Sequence, residues 1–154
     1  MTHRATSRVV VVDEHDRILL FLTFGKTHDV PAHWITPGGG VEPDETHDEA
    51  AARELWEETG LRDLDLGRSF HSLDFDADQE YFDYQTGHSE WYALRVKSFD
   101  PSTDHWMPDE HIDIVEHRWW TLDELQKTIE PVAPAELLAI AAEALTLLGP
   151  SRLS

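Results

Sequence analysis

The stretch GGGVEPDETHDEAAARELWEETGL, residues 38–61, constrains this chain more than any other. It sets eight carboxylates against one basic residue, Arg53, directly after three glycines. Asp44 or Thr46 can cap a helix here, and Gly60 suits the left-handed position beyond its last turn, which predicts a helix over roughly 46–59. At about 100° per residue, Glu54, Glu57 and Glu58 share one arc, while Ala51, Ala52, Leu55 and Trp56 fill the neighbouring apolar arc. Carboxylates at i, i+3 and i+4 repel one another by a few tenths of a kcal/mol per pair in solvent, and by more beside a core. A run of Glu on a helix is most often a solvated face. Here, however, the preceding glycines permit close backbone approach to a ligand, and the helix N-terminus offers N–H groups to phosphate. The compensating positive charge is then a hard divalent cation, Mg2+ or Mn2+, which takes oxygen ligands.

Charge bears on the partners. With 12 Lys and Arg against 31 Asp and Glu, the net charge of -19 repels polyanions, so an anionic ligand needs a local cationic site. No run of Lys or Arg supplies the basic stripe that long DNA or RNA requires. The absence of Cys rules out disulfides, thiolate zinc sites and a Cys nucleophile, in keeping with a reducing cytoplasm. The valine run near the start is broken by Asp13, and the apolar tail is interrupted by Glu136 and Glu143, so neither reads as a signal peptide or a membrane span. The expectation is one cytoplasmic domain over 1–154 with no membrane partner; a homodimer is one assembly that the sequence permits.

The remaining chain reads as strands with a few helices. SRVVVVD and RILLFLTF, separated by DEHD, form a hairpin whose continuous apolar runs imply two covered faces. KTHDVPAHWITPGGG reads as one long loop, and RSFHSLDF, HSEWYALRV and IVEHRWW as further strands. YFDYQTG is a strand or an ordered loop. Thr121 and Glu124 form a capping box for a short helix to about Ile129, and PAELLAIAAEALTLLG is a docked helix ending at Gly149. Together these predict an α/β fold, an α/β/α sandwich on a mixed β-sheet.

Gly39, Glu45, Arg53, Glu54, Leu55, Glu57, Glu58, Gly60 and Leu61 fill every defined position of the signature of the Nudix hydrolases, which this 23-residue stretch resembles without a gap. The resemblance implies hydrolysis of a diphosphate bond by metal-activated water. It implies that the Gly38 carbonyl with Glu54, Glu57 and Glu58 holds the divalent ions, that Gly39 and Glu45 order the loop, and that Arg53 orients the glutamates. Asp44 stands where many members carry Gly, at an undefined position. For the general base the candidates are Glu57, Glu58 and, in the loop before the last strand, Glu110. Lys26, Arg8 and Trp106 are candidate substrate-binding residues, with Arg95 a further cation. The expected substrate is a small nucleotide or nucleoside diphosphate derivative. The loops Gly25–Pro37 and Ser98–Glu110 contain a single Lys or Arg, Lys26, which disfavours ligands with many phosphates. The same fold supports isopentenyl diphosphate isomerases, which need a Cys this chain lacks, and catalytically weak ligand-sensing or interaction modules, which have lost carboxylates retained here.

Overall fold

The computed structural model describes residues 3–23, 32–62, 64–76, 86–101 and 114–151. Strand β1, His3–Val12, is the axis of a mixed sheet. Along its whole length it pairs in parallel with β6, Thr86–Arg95, from His3↔Thr86 to Val12↔Arg95. Strand β5, His71–Asp76, lies antiparallel outside β6. On the other side β1 holds β4, Gly38–Gly40, and then touches β2, Ile18–Thr23, only at Val12↔Ile18. Strands β3, His33–Ile35, and β7, Ile114–Trp120, flank β2. The expected hairpin is therefore real at its turn, but its arms diverge onto different partners.

Alternation along β1 explains the layers, because successive side chains point to opposite faces. Val9 and Val11 join Leu19, Phe21, Tyr92 and Leu94 under α1, His47–Thr59, which contributes Ala51 and Leu55. Val10 and Val12 join Ile18, Leu20 and three tryptophans, Trp34, Trp91 and Trp120. That face is covered by α2, Leu122–Lys127, through Leu125, and by α3, Leu137–Leu148, through Leu137, Ile140, Ala141 and Ala144. The expected α/β/α sandwich is thus formed, and β1 is wholly buried on both faces over Val9–Val12. Among the described residues no helix is long and apolar enough to cross a membrane.

The caps act as the sequence implies. Thr46 and Glu49 close one capping box and Thr121 and Glu124 the other, while Gly60 takes the left-handed conformation at φ 82°. Three details differ. The segment read as one loop contains β3 and β4, which pair with β2 and β1. Helix α2 stops at Lys127, since Thr128 is already extended and Ile129 lies in solvent. On α1, Ala52 is exposed and Trp56 half-buried, whereas Glu54 and Glu58 lie on the buried side with Ala50, Ala51 and Leu55. YFDYQTG falls outside the described residues up to 85, and β6 begins at Thr86.

A polar network ties α1 to the outer strands. Ser7 Oγ donates to the His47 carbonyl at 2.8 Å, so the 3.0 Å contact with His47 Nδ1 has the ring N–H as donor. The His47 ring meets that of His88 edge to face at 5.8 Å. Both nitrogens of His88 face carboxylates, Asp74 from β5 and Glu90 from β6, which can only accept, so His88 is an imidazolium held at a raised pKa by those two bonds. Glu90, despite partial burial, is held low by Ser72, Ser69 and His88. A raised pKa on a base means that its contribution to stability is complete below about pH 6.5 and fades as pH rises through the folded-state value. His88→Asn should therefore lower the melting temperature at about pH 6 by roughly 2–4 °C, the change that about 1 kcal/mol brings at this length, and by clearly less at about pH 9. Equal losses at both pH values would show that His88 acts through packing alone.

Candidate active site

Three glycines make β4, and their lack of side chains decides what surrounds it. A Cβ on Gly39 would lie 2.6 Å from Oε1 and Cδ of Glu54, so the glutamate's carboxylate rests directly on that backbone. At Gly38, with φ 145°, a Cβ would strike the Ser7 carbonyl at 2.2 Å, and the backbone conformation itself suits only glycine. The Gly38 N–H donates to Glu58 Oε1 at 3.0 Å. Two glutamates one helical turn apart thereby meet two consecutive glycines, an alignment that α1 can hold only because its buried side carries acids.

Arg53 makes that burial tolerable. Its Nε and Nη2 donate to the two oxygens of Glu45 at 2.6 and 2.9 Å, a two-pronged pair. Nη2 also donates to the Gly40 carbonyl at 2.9 Å, and Nη1 to Glu54 Oε1 at 3.0 Å and Glu57 Oε2 at 3.2 Å. Glu45 in turn accepts from the Glu42 N–H. One guanidinium so clamps the loop, β4 and the helix. The bonds from Arg53 hold the Glu45 carboxyl below the ordinary carboxylate range, and Glu45 lifts the already high pKa of Arg53. Glu57 moves the other way: burial, then the charge of Glu54, pushes it up, and Arg53 offsets this only in part.

On the α1 side, Glu45, Glu54 and Glu57 thus gather around one cation, with Glu58 beside them on Gly38. The donor set is all oxygen, with a surplus of negative charge, and its chemistry fits a hard divalent ion. The carboxylates do not stand ready as a cage. Among the described residues no three acidic or imidazole side chains are so arranged, since Arg53 takes an oxygen each from Glu54 and Glu57 while Glu58 turns to Gly38.

The structure brings Gly38, Gly39, Glu45, Arg53, Glu54, Glu57 and Glu58 to one junction, as their spacing implies. Arg8 lies beside it on β1, with its Cδ against Gly38 and its Nη1 on the Thr36 carbonyl at 3.1 Å. Arg95 does not: it bonds Asp16 and the carbonyls of Asp13 and Gly149, pinning the β1–β2 turn to the end of α3. Lys26, Trp106 and Glu110 lie outside the described residues. Arg4, a third cation near the start of the chain that the sequence leaves unplaced, has its guanidinium beside Gly40, with Nη2 3.5 Å from a Cβ built there. Its signal was the even spacing of Arg4 and Arg8 on one strand, visible only once β1 is known to begin before them.

Comparison with known proteins agrees with this geometry. The NUDIX domain family model matches residues 1–140. An RNA pyrophosphohydrolase of Caulobacter vibrioides is 32% identical over 139 residues, covering 84% of this chain and 78% of the relative. Diphosphoinositol polyphosphate phosphohydrolase 2 of Rattus norvegicus is 45% identical over 56 residues, covering 36% of this chain and 28% of that protein. Among solved structures, a MutT protein from Methanosarcina mazei Go1 superposes with a TM-score of 0.68 at 20% identity, covering 92% of each chain, a likeness of fold.

The clamp predicts that Arg53→Lys costs about 1–3 kcal/mol of stability in denaturant titrations, because a point charge cannot reproduce the forked contacts. A depressed carboxyl contributes stability above its unfolded value of about 4.3 and loses it as pH falls through the folded one. The gap between wild type and variant should therefore narrow below about pH 4. A variant as stable as the wild type at neutral pH would mean that Arg53 is a surface residue without a structural role.

Proposed function

This chain belongs to the Nudix family, hydrolases that act on pyrophosphate bonds and generally use divalent metals, and we propose that it cleaves the diphosphate bond of a small nucleotide or nucleoside diphosphate derivative with Mg2+ or Mn2+ bound by the Gly38 carbonyl, Glu54, Glu57 and Glu58. The observation that carries this reading is the seating of Glu54 and Glu58 on the glycine backbone while Arg53 fixes Glu45, Glu54 and Glu57. A bound divalent ion supplies charge neutralisation at the phosphate oxygens and a more acidic water. The chain's own groups do the rest. Arg53 holds the helix carboxylates in register, Gly38 and Gly39 let Glu58 and Glu54 come to the backbone, and Glu57 accepts the water proton. Its partial burial and raised pKa make it a better proton acceptor than a fully solvated carboxylate. Glu58 and the loop residue Glu110 remain the other candidates for that role, and Lys26, Arg8 and Trp106 for substrate contacts. One domain over 1–154, a cytoplasmic setting and a homodimer belong to the same proposal.

Substrate class is argued from charge. A relative's name specifies RNA, yet a net charge of -19 without a basic run opposes a long polyanion, so a small substrate is favoured here. A panel at fixed Mg2+ comparing ADP-ribose, nucleotide sugars, nucleoside triphosphates, diadenosine polyphosphates and 5′-triphosphorylated RNA should place the highest kcat/KM with a small nucleotide; a clear preference for RNA would overturn the choice. Ligand binding without turnover on any of them would favour the sensing module instead.

Activity should vanish in EDTA, return with Mg2+ or Mn2+, and fall by about a hundredfold or more in Glu54→Gln and Glu58→Gln, since several kcal/mol of charge stabilisation is at stake. Arg53→Lys should lose roughly 10–100-fold, as supporting residues of metal sites do. Without metal, Glu57→Gln should melt slightly higher than wild type at neutral pH, because a carboxyl with a raised folded pKa destabilises the fold increasingly as pH climbs through that value. Added Mg2+ should raise the melting temperature of the wild type. A folded Glu58→Gln protein with near-normal turnover would sink the metal assignment.

A further inference from the structure

We propose that Arg4 and Arg8 form an anion-binding flank on the face of β4 opposite the glutamates, which takes a phosphate outside the bond being cleaved and so favours nucleoside triphosphates over nucleoside diphosphates linked to an uncharged group. This rests on the hydrolase reading of the same junction. The observation behind it is the two-sidedness of the triglycine strand. Side chains alternate across a strand, so Gly38 and Gly40 present one face and Gly39 the other. At Gly39 the neighbour is the Glu54 carboxylate; at Gly38 a built Cβ meets the Ser7 carbonyl at 2.2 Å and then Arg8 Cδ at 2.8 Å, and at Gly40 it borders the Arg4 guanidinium, with Nη2 and Nε at 3.5 and 3.7 Å. Register agrees, since β1 pairs Thr6↔Gly40 and Arg8↔Gly38, and Arg4, Thr6 and Arg8 share the β1 face of Val10 and Val12, away from α1.

Among the described residues β4 pairs with β1 alone, and on its other edge the Gly38 N–H donates to Glu58 while the Gly40 carbonyl accepts from Arg53. A phosphate chain crossing that edge meets the carboxylate cluster with its cation on one face and two guanidiniums on the other. Arg is suited to this, being always charged and able to offer two donors to one phosphate. Arg8 is oriented by its bond to the Thr36 carbonyl, which positions its guanidinium before substrate arrives. The loops' shortage of cations therefore does not describe the pocket, because β1 supplies what they lack.

The test compares wild type with Arg4→Gln, Arg8→Gln and the double variant on ATP and ADP-ribose at saturating Mg2+. The expected result is a loss of kcat/KM about tenfold or more greater on ATP than on ADP-ribose for each single variant, carried mainly by KM. Arg4→Lys should recover part of it. Equal losses on both substrates, or none, would overturn the proposal. Calorimetric binding of ATP and inorganic tripolyphosphate in EDTA separates the two readings: affinity should drop about tenfold in Arg4→Gln and weaken with added salt. If no substrate is turned over but this binding still depends on Arg4, the flank stands and the hydrolase assignment fails. If turnover is normal and neither measurement responds to Arg4 or Arg8, the flank fails alone. Circular dichroism and melts on each variant identify any loss caused by misfolding, and Arg4→Lys, which keeps the charge, then carries the comparison.

Discussion

Everything at the catalytic junction depends on Arg53. An α-helix that buries two glutamates against a sheet pays a desolvation cost that packing of Ala51 and Leu55 alone would not repay. The guanidinium offsets it by donating to Glu45, Glu54, Glu57 and the Gly40 carbonyl at once, so loop, strand and helix become one unit. The compensation is incomplete by design of the charges. Three carboxylates face one cation on that side, and burial with the charge of Glu54 keeps Glu57 raised despite it. A surplus of oxygen ligands held beside one guanidinium suits the divalent ion proposed for this site, which would be the usual exchange of some stability for function.

The helix was legible because its signals are local. Thr46, Glu49 and Gly60 act within a few residues of themselves, and the i, i+3, i+4 spacing of Glu54, Glu57 and Glu58 is a property of any helix. The same reasoning located α2 through Thr121 and Glu124, and the two-faced burial of β1 through its unbroken valines. What escaped was non-local. Nothing in SRVVVVD says that its long partner is a parallel strand some eighty residues on, nor that GGG, which has neither apolar pattern nor β propensity, pairs with Thr6–Arg8. The apolar arc of α1 was placed too far toward Ala52 and Trp56 because counting hydrophobic residues ignores that a clamped carboxylate can take a core-side position.

The same limit governs the substrate residues. The sequence marks Arg8 and Arg95 alike as candidate cations, but Arg95 is tied to Asp13, Asp16 and Gly149 at the other end of β1. One cation differs from the other only through register, which puts Arg8 opposite Gly38 and sends Arg95 to the turn. The Asp74–His88–Glu90 network is a third case: Glu90 meets His88 two residues along β6, but Asp74 reaches it only because β5 and β6 align in antiparallel register.

An acidic protein that handles anions has to keep opposite charges close without letting them neutralise one another. Side-chain ion pairs would do the latter: were Arg4 or Arg8 on the helix side, they would join Arg53 on the glutamates and remove the excess negative charge that draws a metal. A strand of glycine separates the two populations by the thickness of one backbone. Any side chain on Gly39 would push Glu54 away from that backbone, and any on Gly38 would collide with Ser7 and with Arg8. The triglycine is therefore the thinnest insulating layer a sheet can provide, and Coulomb interactions across it stay strong because little water intervenes. On the proposed reading, the glycines let both signs of charge act on the substrate from opposite faces of one strand.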